Sequence, residues 1–206
     1  MIQQRFTVLQ RTLHWAMAVA ILAMLFIGVG MVSTISTTYL GLVSIHRPLG
    51  IVILILAIIR IGVRLSRGTP PLPANLPAPM KQAAVLSHIG LYALMITMPL
   101  LGWGMLSATA YPAIMWHGFS LPAIVPQSAA LHAVLWDLHH YLAFAFFALI
   151  LMHLSAGLFH ALVRRDGVFE AMAPVPDSMI AQLPNEADAT VVRWNTKEQN
   201  GAARDR

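Results

Sequence analysis

The chain has 206 residues, with 13 Lys+Arg against 8 Asp+Glu, a net charge of +5 and a pI near 10.2, yet only 10% of it is charged and 58% is hydrophobic. A soluble domain carries roughly 25% charged residues, so this composition excludes an ordinary water-facing fold. Basic residues gathered at the ends of apolar runs exclude a nucleic-acid-binding patch, and the absence of cysteine removes disulfides and thiolate ligands, leaving His, Met and oxygen to hold any metal.

The stretch between Arg11 and Arg47 contains no charged residue and includes the run Leu13 to Val32. A bilayer core takes about 20 apolar residues at 1.5 Å rise each, so residues 12–32 are predicted as the first span. A secretory signal core is only about 7–15 residues long and ends at a small-residue cleavage site; this run is longer and shows no such site. The second span is predicted over 45–66, with Pro48 near the helix start, where a missing N–H is tolerated. It ends in Arg60, Arg64 and Arg67. The Pro-rich segment from Gly68 to Pro79 reads as an extended connection.

The third span is predicted over 85–106, with Pro99 and Gly102 as kink positions. Residues 107–127 read as a long uncharged loop carrying Pro112, Pro122 and Pro126. The fourth span is predicted over 138–163, its helix starting near Ser128 before the membrane. Residues 1–174 thus form one domain, an all-α integral membrane four-helix bundle, and residues 175–206 read as a polar, mobile tail. Arg5, Arg11, Arg60, Arg64, Arg67, Lys81, Arg164 and Arg165 fall on one side of this bundle and Arg47 alone on the other. By the positive-inside rule both termini are cytoplasmic, in a multi-pass protein of a bacterial inner membrane.

Ionisable side chains in spans are costly and mark function. Four histidines sort into two depths: His14 and His153 at the inner level, His46 and His139 at the outer. Along the fourth helix, His139 and His153 are 14 residues apart, about 21 Å of rise and about 40° from one face, whereas His140 lies about 140° away from His153. One helix can thus offer an imidazole to each of two stacked cofactors, and imidazole is a regular axial ligand of haem iron in bundle interiors. Ala143, Ala156, Gly157, Gly28, Gly50, Gly102 and Gly104 would leave room for a porphyrin and equally permit close helix packing.

Across about residues 5–174 the chain resembles the prokaryotic cytochrome b561 family of membrane dihaem cytochromes. The pieces that carry the likeness are Leu13-His-Trp15, Ile45-His-Arg-Pro-Leu-Gly50 leading to Arg60 and Arg64, Pro70-Pro-Leu-Pro73, Leu86-Ser-His88 with Tyr92, and Pro99-Leu-Leu-Gly102. His139, Met152-His153, His160-Ala-Leu-Val-Arg-Arg-Asp-Gly167 and Met172-Ala-Pro174 complete the ordered set. The resemblance implies two bis-His haems b, the inner held by His14 and His153 and the outer by His46 and His139. It also implies electron transfer between an outer donor, superoxide or a redox protein partner, and ubiquinone as substrate. The second histidine, His140, and the polar tail depart from the family pattern.

His88 and His160 fall near the inner surface and read as quinone- or proton-handling residues, or as headgroup anchors. Arg47, beside His46, reads as a partner of an outer haem propionate, with lipid phosphate the plainer alternative. Arg60 and Arg64 read first as snorkelling topology markers and second as inner-propionate partners. His117 and His132 read as surface residues, the scattered Met as packing, and Trp15, Trp103, Trp116, Trp136 and Trp194 mostly as interface aromatics. Three functions compete: a free-standing electron-transfer oxidoreductase, the cytochrome b anchor of a hydrogenase or dehydrogenase complex, and a His-rich metal transporter. The last needs its ligands clustered along one pathway, which the two depths oppose.

Overall fold

The computed structural model describes residues 5–109, 113–114 and 119–174; the expected tail, with Trp194, and the loop residues Trp116 and His117 lie outside them. Four helices dominate: α1 (Val8–Ser33), α2 (Thr38–Arg67), α3 (Ala78–Ala108) and α4 (Ala129–Phe159). All four are long and apolar enough to cross a membrane, and they pack in chain order, α1 on α2, α2 on α3 and α3 on α4. The fold is the expected all-α four-helix membrane bundle.

Each helix starts earlier than apolarity alone predicts, for local reasons. Thr7 and Gln10 form a reciprocal capping box that starts α1 at Val8. Pro77 precedes α3 with a second proline in its first turn, positions where no intrahelical N–H is needed. Ser128 caps α4 by accepting from the Leu131 backbone N–H, so the start near Ser128 holds. The correction is in α2. It begins at Thr38, so Pro48 is a buried interior residue instead of a start signal. Residues 38–44 contain no proline and are apolar enough to carry the helix through Gly41, and Pro48 simply omits one bond of the ladder.

A second correction concerns the 107–127 loop. It contains a two-residue antiparallel pair, β1 (Ala113–Ile114) with β2 (Ser120–Leu121), in register Ala113↔Leu121. The loop is tied to the helix ends by Trp103 Nε1 donating to the Pro122 carbonyl (2.8 Å) and the Ile124 amide donating to Ser107 Oγ (3.3 Å).

The buried core takes one residue from each helix, Met17, Ala57, Met95 and Phe146. Outward positions carry large apolar side chains such as Phe26, Tyr141 and Phe144, the inversion expected when the solvent is lipid. At the end of the bundle that carries the N-terminal segment, residues after α4 fold back across the start of α1. Phe6 N–H donates to the Ala171 carbonyl (3.1 Å), and Trp15 Nε1 donates to the Met172 carbonyl (2.9 Å). Arg5 reaches the carbonyls of Glu170 (3.2 Å) and Ala173 (3.0 Å). This end is called the terminal end below, and the opposite end the distal end.

Candidate functional site: two histidine pairs at two depths

Helix geometry places His14 one turn after the Thr7–Gln10 cap of α1 and His153 near the terminal end of α4. Their rings face each other with centroids 6.2 Å apart and planes at 67°. At the distal level His46 of α2 and His139 of α4 repeat the arrangement, 6.2 Å apart at 65°. The structure therefore brings together both pairs named from the sequence.

The spacing has chemical content. A metal–imidazole bond is about 2 Å, and a ring nitrogen lies about 1.1 Å from its centroid, so two imidazoles on opposite sides of one metal have centroids about 6.2 Å apart. Among the described residues, the buried Nδ1 atoms of His46 and His139 lie within good hydrogen-bond geometry of no partner, and buried polar atoms are normally satisfied. A metal centre bonded to one nitrogen of each ring fits a ring pair buried in this way. Several glycines lie on the same helices. A Cβ at Gly28 or Gly157 would meet nothing within 4 Å, and one at Gly102 would sit 3.5 Å from His139 Cε1. No cluster of three or more His, Cys, Asp or Glu able to hold a bare metal ion occurs among the described residues.

The remaining candidates separate. His140 turns away, its Nδ1 donating to the Trp136 carbonyl (2.9 Å) and its ring lying 4.5 Å from the Trp136 ring. Arg47 is half-buried and makes no ion pair among the described residues. His88 of α3 lies deeper than an interfacial anchor, its ring 5.4 Å from that of His153. Its Nδ1 donates to the Ala84 carbonyl (2.6 Å), which leaves Nε2 as an acceptor.

His160 closes the α-helical register of α4, its backbone N–H still donating to the Ala156 carbonyl. It opens a π-helical turn, His160–Arg164, that ends with Arg165 in the left-handed conformation. The wider turn lets a buried His160 point its Nδ1 at Asp166 (2.8 Å), while Arg164 Nε holds the same carboxylate (2.8 Å). Burial pushes the Asp166 carboxyl up, but hydrogen bonds from Arg164 and His160 outweigh it and hold the group below its usual range. Asp166 was missed in the sequence; the only signal for it was an acid six residues after His160.

Arg60 corrects the snorkelling reading. Its Nε donates to Tyr92 Oη (3.0 Å) and its Nη1 to the Gln10 carbonyl (3.3 Å), so it ties α2 to α3 and α1. Gln10 Nε2 in turn donates to the Gly68 carbonyl (2.9 Å). These contacts also went unread, because nothing in local spacing links residues 10, 60 and 92.

A four-helix membrane protein with facing histidines at two depths defines a class, the membrane-embedded b-type cytochromes. The sequence profile described as prokaryotic cytochrome b561 matches residues 5–174, and the chain belongs to that family. It is similar to Cytochrome b561 homolog 1 of Escherichia coli (strain K12), 28% identical over 180 residues that cover 82% of this chain and 97% of that one. Cytochrome b561 homolog 2 of the same organism is 27% identical over 172 residues, covering 82% and 91%. A Yersinia pestis protein named Probable superoxide oxidase CybB is 31% identical over 133 residues, covering 63% and 73%. Family and fold together make this chain a multi-pass, haem-binding electron-transport protein of the bacterial inner membrane.

Proposed function

We propose that the chain holds two haems b, one between His14 and His153 and one between His46 and His139, and conducts electrons across the membrane to the quinone pool. The observation that carries this reading is the repeated 6.2 Å spacing of the two ring pairs. The haems supply the one-electron redox chemistry when bound; the protein supplies axial ligands, burial and neighbouring charge. The four histidines act as ligands and move no proton.

The terminal end is cytoplasmic in this reading, because Arg5, Arg11, Arg60, Arg64, Arg67, Lys81, Arg164 and Arg165 gather there. The two levels are then separated along α4 by about 21 Å of helix rise. Electrons enter at the outer pair, and ubiquinone is reduced near the inner one. His160 is the residue we assign to the quinone headgroup, since its imidazole stands at the inner margin with a carboxylate behind it. His88, packed on His153, borders the same region. Arg47 serves an outer propionate.

With superoxide as donor, as the name of the Yersinia relative suggests, two superoxide ions give two O2 and two electrons. Those electrons and two protons from the inner side convert one quinone to quinol. A second reading, a cytochrome b subunit fed by a hydrogenase or dehydrogenase partner, is favoured by one feature. Residues 107–136 contain no Asp, Glu, Lys or Arg, so this stretch of the outer face offers no cationic field to steer a small anion. Haem content decides the shared premise: a pyridine haemochrome assay should give two haems per chain, and a ratio of one would show that one pair is misassigned. Anaerobic mixing with superoxide or with candidate dehydrogenases then separates the donors.

A further inference from the structure

Arg60 and Arg64 stand one helical turn apart on α2 and share one neighbour. Arg60 donates to the Tyr92 hydroxyl, and the Arg64 guanidinium lies 5.8 Å from the centroid of the same ring. Both line a shallow cleft at the terminal end, together with Gln10, Leu13, Tyr92 and Met172. No carboxylate pairs with either arginine among the described residues. Two half-buried guanidinium groups without a counter-ion at a membrane margin are unfavourable, so the cleft is built for an anion.

The geometry narrows the anion. Arg guanidinium has five N–H donors. Two of those on Arg60 are fixed by Tyr92 and by the Gln10 carbonyl, which locks its plane between three helices and leaves the rest of the fork unpaired. A residue serving a lipid phosphate would extend outward along the helix surface; Arg60 is turned inward. Leu13, in the cleft wall, precedes His14, and Arg60 lies within electrostatic reach of His14, His88 and His153.

We propose that Arg60 and Arg64 form an oxyanion site that takes a carboxylate side arm of the inner porphyrin, with Tyr92 as the post that positions both guanidiniums. This inference rests on the dihaem reading above. Fork-shaped guanidinium groups suit carboxylates through paired, charge-assisted bonds. A fixed positive charge there also favours the reduced haem, because reduction adds a negative charge to the centre.

The test uses the purified, haem-loaded full chain. Haem per chain, the two midpoint potentials and co-purified phospholipid are measured for wild type, Arg64→Gln, Arg60→Gln, the double variant and Tyr92→Phe. His14→Ala, which keeps only the outer centre, identifies the inner midpoint. The expected result is two haems per chain in Arg64→Gln, with the inner midpoint lowered and the outer unchanged. The double variant should shift further, and Tyr92→Phe less. If Arg60→Gln fails to accumulate because it cross-links three helices, Arg64→Gln decides alone, since the Arg64 guanidinium, 5.8 Å from the Tyr92 ring, makes no hydrogen bond between helices among the described residues.

Unchanged midpoints with fewer bound phospholipids would overturn the proposal in favour of a lipid phosphate. Unchanged midpoints with a raised KM for quinone would overturn it in favour of a quinone headgroup. Fewer than two haems in wild type would instead defeat the dihaem reading, a result separable from either of these.

Discussion

Replacing each of the adjacent histidines of α4 with alanine separates ligand from neighbour. His139 faces His46 with ring centroids 6.2 Å apart. His140 follows it by one residue, a rotation of about 100°, and packs on Trp136 at 4.5 Å. His139→Ala removes an axial nitrogen, so haem content should fall from two per chain to one, with loss of the outer midpoint from a redox titration. Added imidazole, which can enter the vacated space, should restore part of that signal. His140→Ala loses one hydrogen bond to the Trp136 carbonyl and one ring contact, each worth about 0.5–1.5 kcal/mol. That is enough to lower thermal stability but not to release a haem. Gly102 supplies an independent check: an added Cβ would lie 3.5 Å from His139 Cε1, so Gly102→Ala should keep both haems, whereas Gly102→Val should lower outer-haem occupancy. Pyridine haemochrome assay against protein concentration reads all four variants. Loss of a haem in His140→Ala, with both retained in His139→Ala, would show that the register of α4 is wrong.

Three further outcomes follow from the terminal end. Reporter fusions after Arg67 and after Pro174 should both report the cytoplasm; a periplasmic signal from either would reverse the inner and outer assignments. His160→Ala should keep the haem spectrum while slowing quinone turnover several-fold, and unchanged turnover would return His160 to a structural role. Asp166→Asn removes the charged acceptor shared by His160 and Arg164, and losing charge-assisted hydrogen bonds at this half-buried site costs about 1.5–3 kcal/mol. Because the Asp166 carboxyl is held below its usual range in the folded protein, its contribution is complete above about pH 4, the ordinary unfolded value, and is lost as pH falls through the folded value. Melting curves of wild type and Asp166→Asn should therefore differ at pH 7 and draw together as the pH is lowered; a difference that stays constant from pH 7 down into acid would contradict the assignment.

Much of the architecture was legible because lipid imposes a simple rule on sequence. A chain that must satisfy its own backbone in hydrocarbon reads as uninterrupted apolar runs, and these located all four helices. Depth was legible for a related reason: a rise of 1.5 Å per residue is nearly rigid in such helices, so His14, His46, His139 and His153 could be sorted before their rings were placed. Helix starts were less legible. The Thr7–Gln10 box and Pro77 set boundaries through hydrogen bonds and a missing N–H, which a hydropathy scan does not register. The Arg60–Tyr92–Gln10 contact joins residues up to 82 apart in the chain, and no periodic pattern encodes a contact between different helices. Asp166 was brought beside His160 by a π-helical turn that begins at His160, a register change that composition does not announce.

Both histidine pairs draw one member from α4, the last of the four described helices to leave the ribosome. His46 must wait for a residue 93 positions later and His14 for one 139 positions later, as their numbers show. Translation proceeds at about 5–20 residues per second, so α1 to α3 exist for seconds as a three-helix intermediate with half of each pair in place. Any iron porphyrin caught at that stage is held on one side only. Insertion of α4 closes the distal pair before the terminal one, since His139 emerges before His153. The fold-back of residues 170–173 onto Arg5, Phe6 and Trp15 then latches the last helix to the first. On the proposed dihaem reading, biogenesis is thereby ordered by chain position: a chain stopped before α4 holds half of each histidine pair and completes a centre at neither depth.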